Sequence, residues 1–90
     1  IDYPKFFTPN GDGYNDTWNI IGISDQPNAQ IYIFDRYGKL LKQLSPTGPG
    51  WDGTYNGRPM PSSDYWFRVE YIEPMTSTPA TFKANFTLKR

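Results

Sequence analysis

The chain has no cysteine and no histidine. The first absence excludes a disulfide framework, a thiolate zinc site and a cysteine nucleophile. The second removes the commonest general base and the commonest transition-metal ligand. Net charge is also lacking: nine Lys and Arg balance nine Asp and Glu, so nothing in the overall charge points to nucleic acid or an anionic membrane. No apolar run approaches the roughly 20 residues of a membrane span, and no signal-peptide pattern is present. No window of helical length repeats its apolar residues every 3.6 positions.

What the chain does have is aromatics, at 18% of 90 residues, with nine prolines and eight glycines between them. Short aromatic strands separated by dense turns indicate an all-β domain. Trp18 and Ile20 share one face of a run from Thr17 to Ile23. Ile31 and Ile33 alternate with Tyr32 and Phe34 between Ala29 and Asp35, an expected strand buried on both sides or covered by a loop. Arg36-Tyr37-Gly38-Lys39 reads as a hairpin turn before a return strand from Leu40 to Leu44. The strongest signal is Tyr65 to Ile72, where Tyr65, Phe67, Val69 and Tyr71 alternate with Trp66, Arg68 and Glu70. Phe82, Ala84, Phe86 and Leu88 then alternate with Lys83, Asn85, Thr87 and Lys89. With the Asp2–Phe7 segment, the expectation is an immunoglobulin-like β-sandwich of about seven antiparallel strands, forming one domain over residues 1–90. The chain opens on Ile1, so we read it as a domain excised from a larger secreted or surface protein.

Thr8-Pro9-Asn10-Gly11-Asp12-Gly13-Tyr14-Asn15-Asp16 is the most unusual stretch. Its proline and two glycines prevent a helix or regular strand and permit a tight loop with converging oxygens. Two readings stay open. One is a structural Ca²⁺ held by side-chain oxygens of Asn10, Asp12 and Asp16 and the Tyr14 carbonyl, since Ca²⁺ takes several oxygen ligands. The spacing resembles the calcium loops of thrombospondin type-3 repeats. The other is an Asx turn whose side chains bond their own backbone.

Charge is distributed unevenly. Asp12, Asp16, Asp25 and Asp35 fall between Asn10 and Asp35 with no base among them, whereas Lys83, Lys89 and Arg90 end the chain with no acid. The carboxylates Asp12, Asp16, Asp52 and Asp64 each sit among turn residues, where Asp is ordinary, and a sandwich this small offers little cleft. No enzyme is expected. In Trp51-Asp52-Gly53, Asp52 is expected to bond its own turn and Trp51 to cap the core. Trp66 and Tyr37 are the aromatics expected at the surface.

Several segments together resemble the gliding motility-associated C-terminal domain family of Bacteroidetes, the type B sorting domains of the type IX secretion system. They are Phe7 to Asp16 with Trp18 and Ile20, Ile33-Phe34-Asp35-Arg36-Tyr37-Gly38-Lys39, Gly50 to Gly57, Pro61 to Tyr65, and Phe86-Thr87-Leu88-Lys89-Arg90. One departure is Ser63, where the family usually has glycine. The stretch from Phe34 to Tyr65 is also similar to the Ig-like domain of flagellar hook-capping proteins, which bears on fold alone.

The resemblance implies a sorting signal that directs a passenger through the type IX system to the cell surface or medium, after transit through the periplasm. Its implied partners are the outer-membrane machinery and upstream passenger domains of the same chain. We expect Phe86, Thr87, Leu88, Lys89 and Arg90 to contact the partner, with the last strand acting as an edge. Removing Lys89 and Arg90 is then expected to spare the fold and lower export. The alternative is a surface adhesion or carbohydrate-binding module using Trp66 and Tyr37.

Overall fold

The computed structural model describes every residue except Ile1, Asp12, Tyr14, Asn15 and Ser24. Seven strands and no helix occur among the described residues: β1 (Phe6–Phe7), β2 (Gln30–Phe34), β3 (Leu40–Leu44), β4 (Thr54–Tyr55), β5 (Arg58–Pro59), β6 (Ser63–Glu73) and β7 (Thr78–Leu88). Five make one sheet in the order β1-β7-β6-β2-β3, and β4 pairs with β5.

The all-β sandwich reading holds, with one correction. The pair β1·β7 is parallel, Phe6 opposite Thr87 and Phe7 opposite Leu88, so the sheet is mixed. Parallel neighbours need a long crossover, and these two strands have almost the whole chain between them. The first and last strands therefore lie side by side.

Period-two alternation sets the two faces of the sheet. Ile31 and Ile33 of β2, Tyr65, Phe67 and Val69 of β6, and Phe86 and Leu88 of β7 are buried on the inner face. In β3 the buried residues Leu41 and Leu44 are three apart, which simple alternation forbids. A bulge resolves this: Ile33 pairs Lys42 but Phe34 pairs Leu40, leaving Leu41 as the extra residue, turned inward.

The opposing layer is mostly irregular chain. The expected strand from Thr17 to Ile23 is reduced to isolated bridges, Trp18 with Trp51 and Ile21 with Asp2. Its facing is as expected nonetheless, with Trp18 and Ile20 buried and Ile21 half exposed. Trp18 stacks on Phe86 with ring centroids 4.2 Å apart and planes 14° from parallel. Such a contact adds roughly 0.5–1.5 kcal/mol beyond the area buried.

Buried indole and phenol groups must find hydrogen-bond acceptors, and these do. Trp18 Nε1 donates to the Pro4 carbonyl at 2.7 Å, Trp51 Nε1 to that of Thr54 at 2.9 Å, and Tyr65 Oη to that of Pro61 at 2.7 Å. The Trp18–Trp51 bridge requires Gly50. Gly50 has φ +90, and a Cβ there would lie 2.6 Å from the Trp18 carbonyl oxygen.

Turn chemistry explains the hairpins. Asp35 Oδ1 accepts from the Tyr37 and Lys39 amides, both at 2.9 Å, and closes the β2–β3 turn. Asn56 and Gly57, at φ 53 and 78, form the two-residue loop between β4 and β5. Ser63, the departure from the resemblance, is the first residue of β6 and pairs with Leu88. Its φ is not positive, so its Cβ meets no backbone penalty.

Candidate functional site

The parallel pairing of β1 with β7 draws the chain's last residues into the same corner as Pro9 and the Trp51-Asp52-Gly53 turn. Arg90 ties them together. Its Nη2 donates to the Gly53 carbonyl at 2.8 Å, its Nε to the Met60 carbonyl at 2.6 Å and its Nη1 to the Pro9 carbonyl at 3.4 Å. Its amide donates to Ser62 Oγ at 2.9 Å. The fork geometry of a guanidinium suits several carbonyls at once, which an ammonium cannot match.

Gly53 makes room for this contact. It has φ +82, and a Cβ would sit 3.1 Å from Arg90 Nη2, Leu88 Cδ1 and Pro9 Cγ. The neighbouring Tyr65 hydroxyl is pushed above its ordinary range, chiefly by burial, with Arg90 opposing and Asp35 adding to the shift.

The expected contact residues therefore differ in character. Phe86 and Leu88 are core residues, 1% and 0% exposed. Thr87 Oγ1 donates to Asp64 Oδ1 at 2.8 Å. Lys89 bonds through its backbone to the Phe7 carbonyl at 3.0 Å, and its ammonium lies 5.4 Å from the Phe6 ring centroid, at the surface. Of the set, Lys89 alone points an uncommitted charge outward. Arg90, though exposed, bonds Gly53, Met60 and Pro9, contacts that removing Lys89 and Arg90 would take away.

The edge-strand expectation is also corrected for this segment, because β1 already occupies the edge beside Thr87 and Leu88. The Thr87 amide points to Lys5 and the Lys89 amide to Phe7. By alternation, the amides of Thr81, Lys83 and Asn85 point the same way, and no strand pairs there among the described residues. The open edge lies upstream of the expected one.

Two of the residues expected to bind metal, Asp12 and Tyr14, lie outside the described residues. Asp16 Oδ1 accepts from the Gly11 amide at 3.0 Å and Oδ2 from the Gly13 amide at 2.8 Å. Asn10 donates through its backbone to the Thr8 carbonyl at 2.8 Å. Asp16 thus bonds the backbone of the residues that precede it. Among the described residues no group of three or more acidic side chains converges as a metal cluster.

Asp52 behaves as expected of a turn residue. Oδ1 accepts from Thr54 Oγ1 at 2.6 Å and from the Thr54 amide at 3.1 Å. The Thr54 hydroxyl holds the carboxyl below its usual range, partly offset by burial.

Trp66 is 41% exposed at the middle of the outer sheet face, and Tyr37 is 79% exposed at the β2–β3 turn. The Arg90 clamp was missed by sequence reading. Its only trace is the coincidence of a terminal Arg with a Trp-Asp-Gly turn, which shows nothing until topology brings the two together.

A family model described as the CHU_C type IX secretion signal domain matches residues 1–86. It is a secretion-signal family and not a known enzyme family. No curated protein and no solved structure matches the chain.

Proposed function

We infer the role from membership: this chain belongs to the CHU_C type IX secretion signal domain family, and it serves as a C-terminal sorting signal. The match over residues 1–86 is the observation that carries this. The signal is recognised by secretion machinery on behalf of a passenger chain, and its outcome is export to the cell surface or medium.

The finer mechanism is our proposal. The domain has no catalytic activity and is read as a folded object after transit through the periplasm. An outer-membrane component of the machinery contacts the corner made by Phe86 to Arg90. Phe86 and Leu88 position this corner from the core, Thr87 and Arg90 fix it by hydrogen bonds, and Lys89 beside Phe6 offers the accessible charge. A lysine at the rim steers association toward an acidic surface. Calcium in the Asn10–Asp16 loop belongs to the same proposal, with Asn10, Asp12, Asp16 and the Tyr14 carbonyl as ligands. The support is their spacing and the two glycines that let oxygens converge.

The test is a fusion of this domain to the C-terminus of a fluorescent protein with an inner-membrane signal peptide, expressed in a bacterium with type IX machinery. Fluorescence in medium or on the surface, lost when the machinery is deleted, is the expected result. A folded fusion retained in the periplasm would overturn sufficiency of these residues as a signal.

A further inference from the structure

The outer face of the five-stranded sheet carries a patch that the sorting reading does not use. Register places Leu40, Phe34, Trp66 and Asn85 in one cross-strand row, and Tyr32, Arg68 and Lys83 in the next. Leu40 is 49% exposed and Trp66 41%. A hollow of about 410 Å³ opens at this corner, floored by Phe34 and Trp66 and rimmed by Arg36, Arg68 and Lys83.

Of the rim charges, Arg68 is ion-paired with Glu70, whereas Arg36 and Lys83 are in no ion pair among the described residues. The Arg68 guanidinium lies 4.7 Å from the Tyr32 ring centroid and 5.5 Å from that of Phe34. Its buried Nε is 3.4 Å from Glu70 Oε2 but makes no hydrogen bond. Asp35 is the one carboxylate lining the hollow, and its Oδ1 is turned into the β2–β3 turn. Asp64, further along the same face, accepts from Thr87.

We propose that this face docks an acidic polypeptide segment carrying aliphatic or aromatic side chains between its carboxylates. Charge complementarity selects the occupant. Cations around an apolar floor fit a segment that supplies both carboxylates and grease, and Arg is the residue suited to forked contact with a carboxylate. A sugar ring stacks on open aromatic faces; Arg68 lies over the Tyr32 and Phe34 rings, which leaves Trp66 as the exposed ring of the floor for it. The inference goes beyond the sorting reading and stands whether or not the secretion machinery supplies the segment.

The experiment is a titration of the ¹⁵N-labelled 90-residue chain with a synthetic peptide of alternating Glu and Leu, at low and high salt. Polygalacturonate and a neutral cellulose oligosaccharide are titrated in parallel. The expected result is peptide-induced shifts at Phe34, Trp66, Arg68, Lys83 and Asn85, weakening with salt. Combined Arg68→Glu and Lys83→Glu should weaken binding at least tenfold, and Lys42→Glu should leave it unchanged. If Arg68→Glu perturbs the folded spectrum, Lys83→Glu alone, at an exposed position, carries the test. Absence of shifts on this face, equal binding by the charge-reversed chain, or shifts with either saccharide but not the peptide would each overturn the proposal. The last outcome would make the face a glycan surface.

Discussion

Arg90 Nη2 donates to the Gly53 carbonyl at 2.8 Å, joining residues 37 positions apart through a glycine that has no side chain to block the approach. The end of the chain is thereby part of the fold. The same guanidinium reaches Met60 and Pro9, so three irregular segments share one cation.

Replacing Arg90 by Ala should therefore cost stability. Hydrogen bonds to a charged group are worth more than neutral ones, and the partial exposure of this group tempers them. We expect a loss of about 1–2 kcal/mol. For a domain of this size that lowers the melting temperature by roughly 4–15 °C. Lys89→Ala should change it by no more than about 0.5 kcal/mol. Urea denaturation of both variants checks this, and equal midpoints would remove Arg90 from the structural account.

The Trp18–Trp51 bridge makes a sharper demand. Gly50→Ala places a Cβ 2.6 Å from the Trp18 carbonyl at a φ of +90. Gly22 has a similar φ of +86 but nothing within 4 Å of its added Cβ. Gly22→Ala should cost only the backbone strain, about 1 kcal/mol. Gly50→Ala adds the clash and should cost about 3 kcal/mol or more. A Gly50 variant no worse than the Gly22 one would mean that the bridge gives way easily.

The contrast between these glycines marks where sequence reading succeeds and stops. Strands β2, β6 and β7 are legible because their alternation is local, and a single buried face imposes it; β3 is legible as the return strand after the Arg36–Lys39 turn, since its bulge breaks the alternation. Residues 17–23 show the same alternation yet form no strand, because Trp18 and Ile21 find different partners, Trp51 and Asp2. The Asn56-Gly57 hairpin has a local signal too, which sequence reading passed over. The Arg90 clamp and the β1·β7 pairing depend on topology, which no local pattern encodes. They moved the expected edge from Phe86–Arg90 to Thr81–Asn85.

Stability should fall at both ends of the pH scale, for two identifiable groups. Asp52 is held below the ordinary carboxylate range, first by the Thr54 hydroxyl. A depressed carboxyl stabilises the fold above its unfolded pKa, and that contribution is lost as pH falls through the folded value. Tyr65 is raised above 10.0, first by burial. Its contribution is complete below the unfolded pKa and is lost as pH rises through the folded one. Thr54→Val should flatten the acid limb below about pH 4, and Tyr65→Phe the alkaline limb above about pH 10. Melting curves at stepped pH would show limbs unchanged by these substitutions if other groups dominate.

Calcium in the Asn10–Asp16 loop would appear as linkage. A ligand bound only by the native state stabilises it by about 2.7 kcal/mol at a hundred times its dissociation constant. Millimolar Ca²⁺ should then raise the melting temperature and EDTA lower it, with both responses lost in Asp16→Ala. Because Asp16 also accepts the Gly11 and Gly13 amides, that substitution destabilises by itself. The diagnostic is the difference between Ca²⁺ and EDTA within each protein. No difference in the unsubstituted chain would leave Asp16 as a loop-closing residue only.

Lys89 and Arg90 separate recognition from folding. Arg90 is engaged with Gly53, Met60 and Pro9, whereas the Lys89 ammonium rests over Phe6 at the surface. Lys89→Glu reverses an accessible charge without removing a contact inside the fold. If the machinery reads this corner electrostatically, export of the fusion should fall several-fold while the melting temperature stays within a degree or two. Arg90→Lys keeps the charge and loses the fork, so it should lower stability more than it alters steering. Export following melting temperature across both variants would mean that the machinery selects only for a folded domain. Export following the charge at Lys89 would place recognition at this corner.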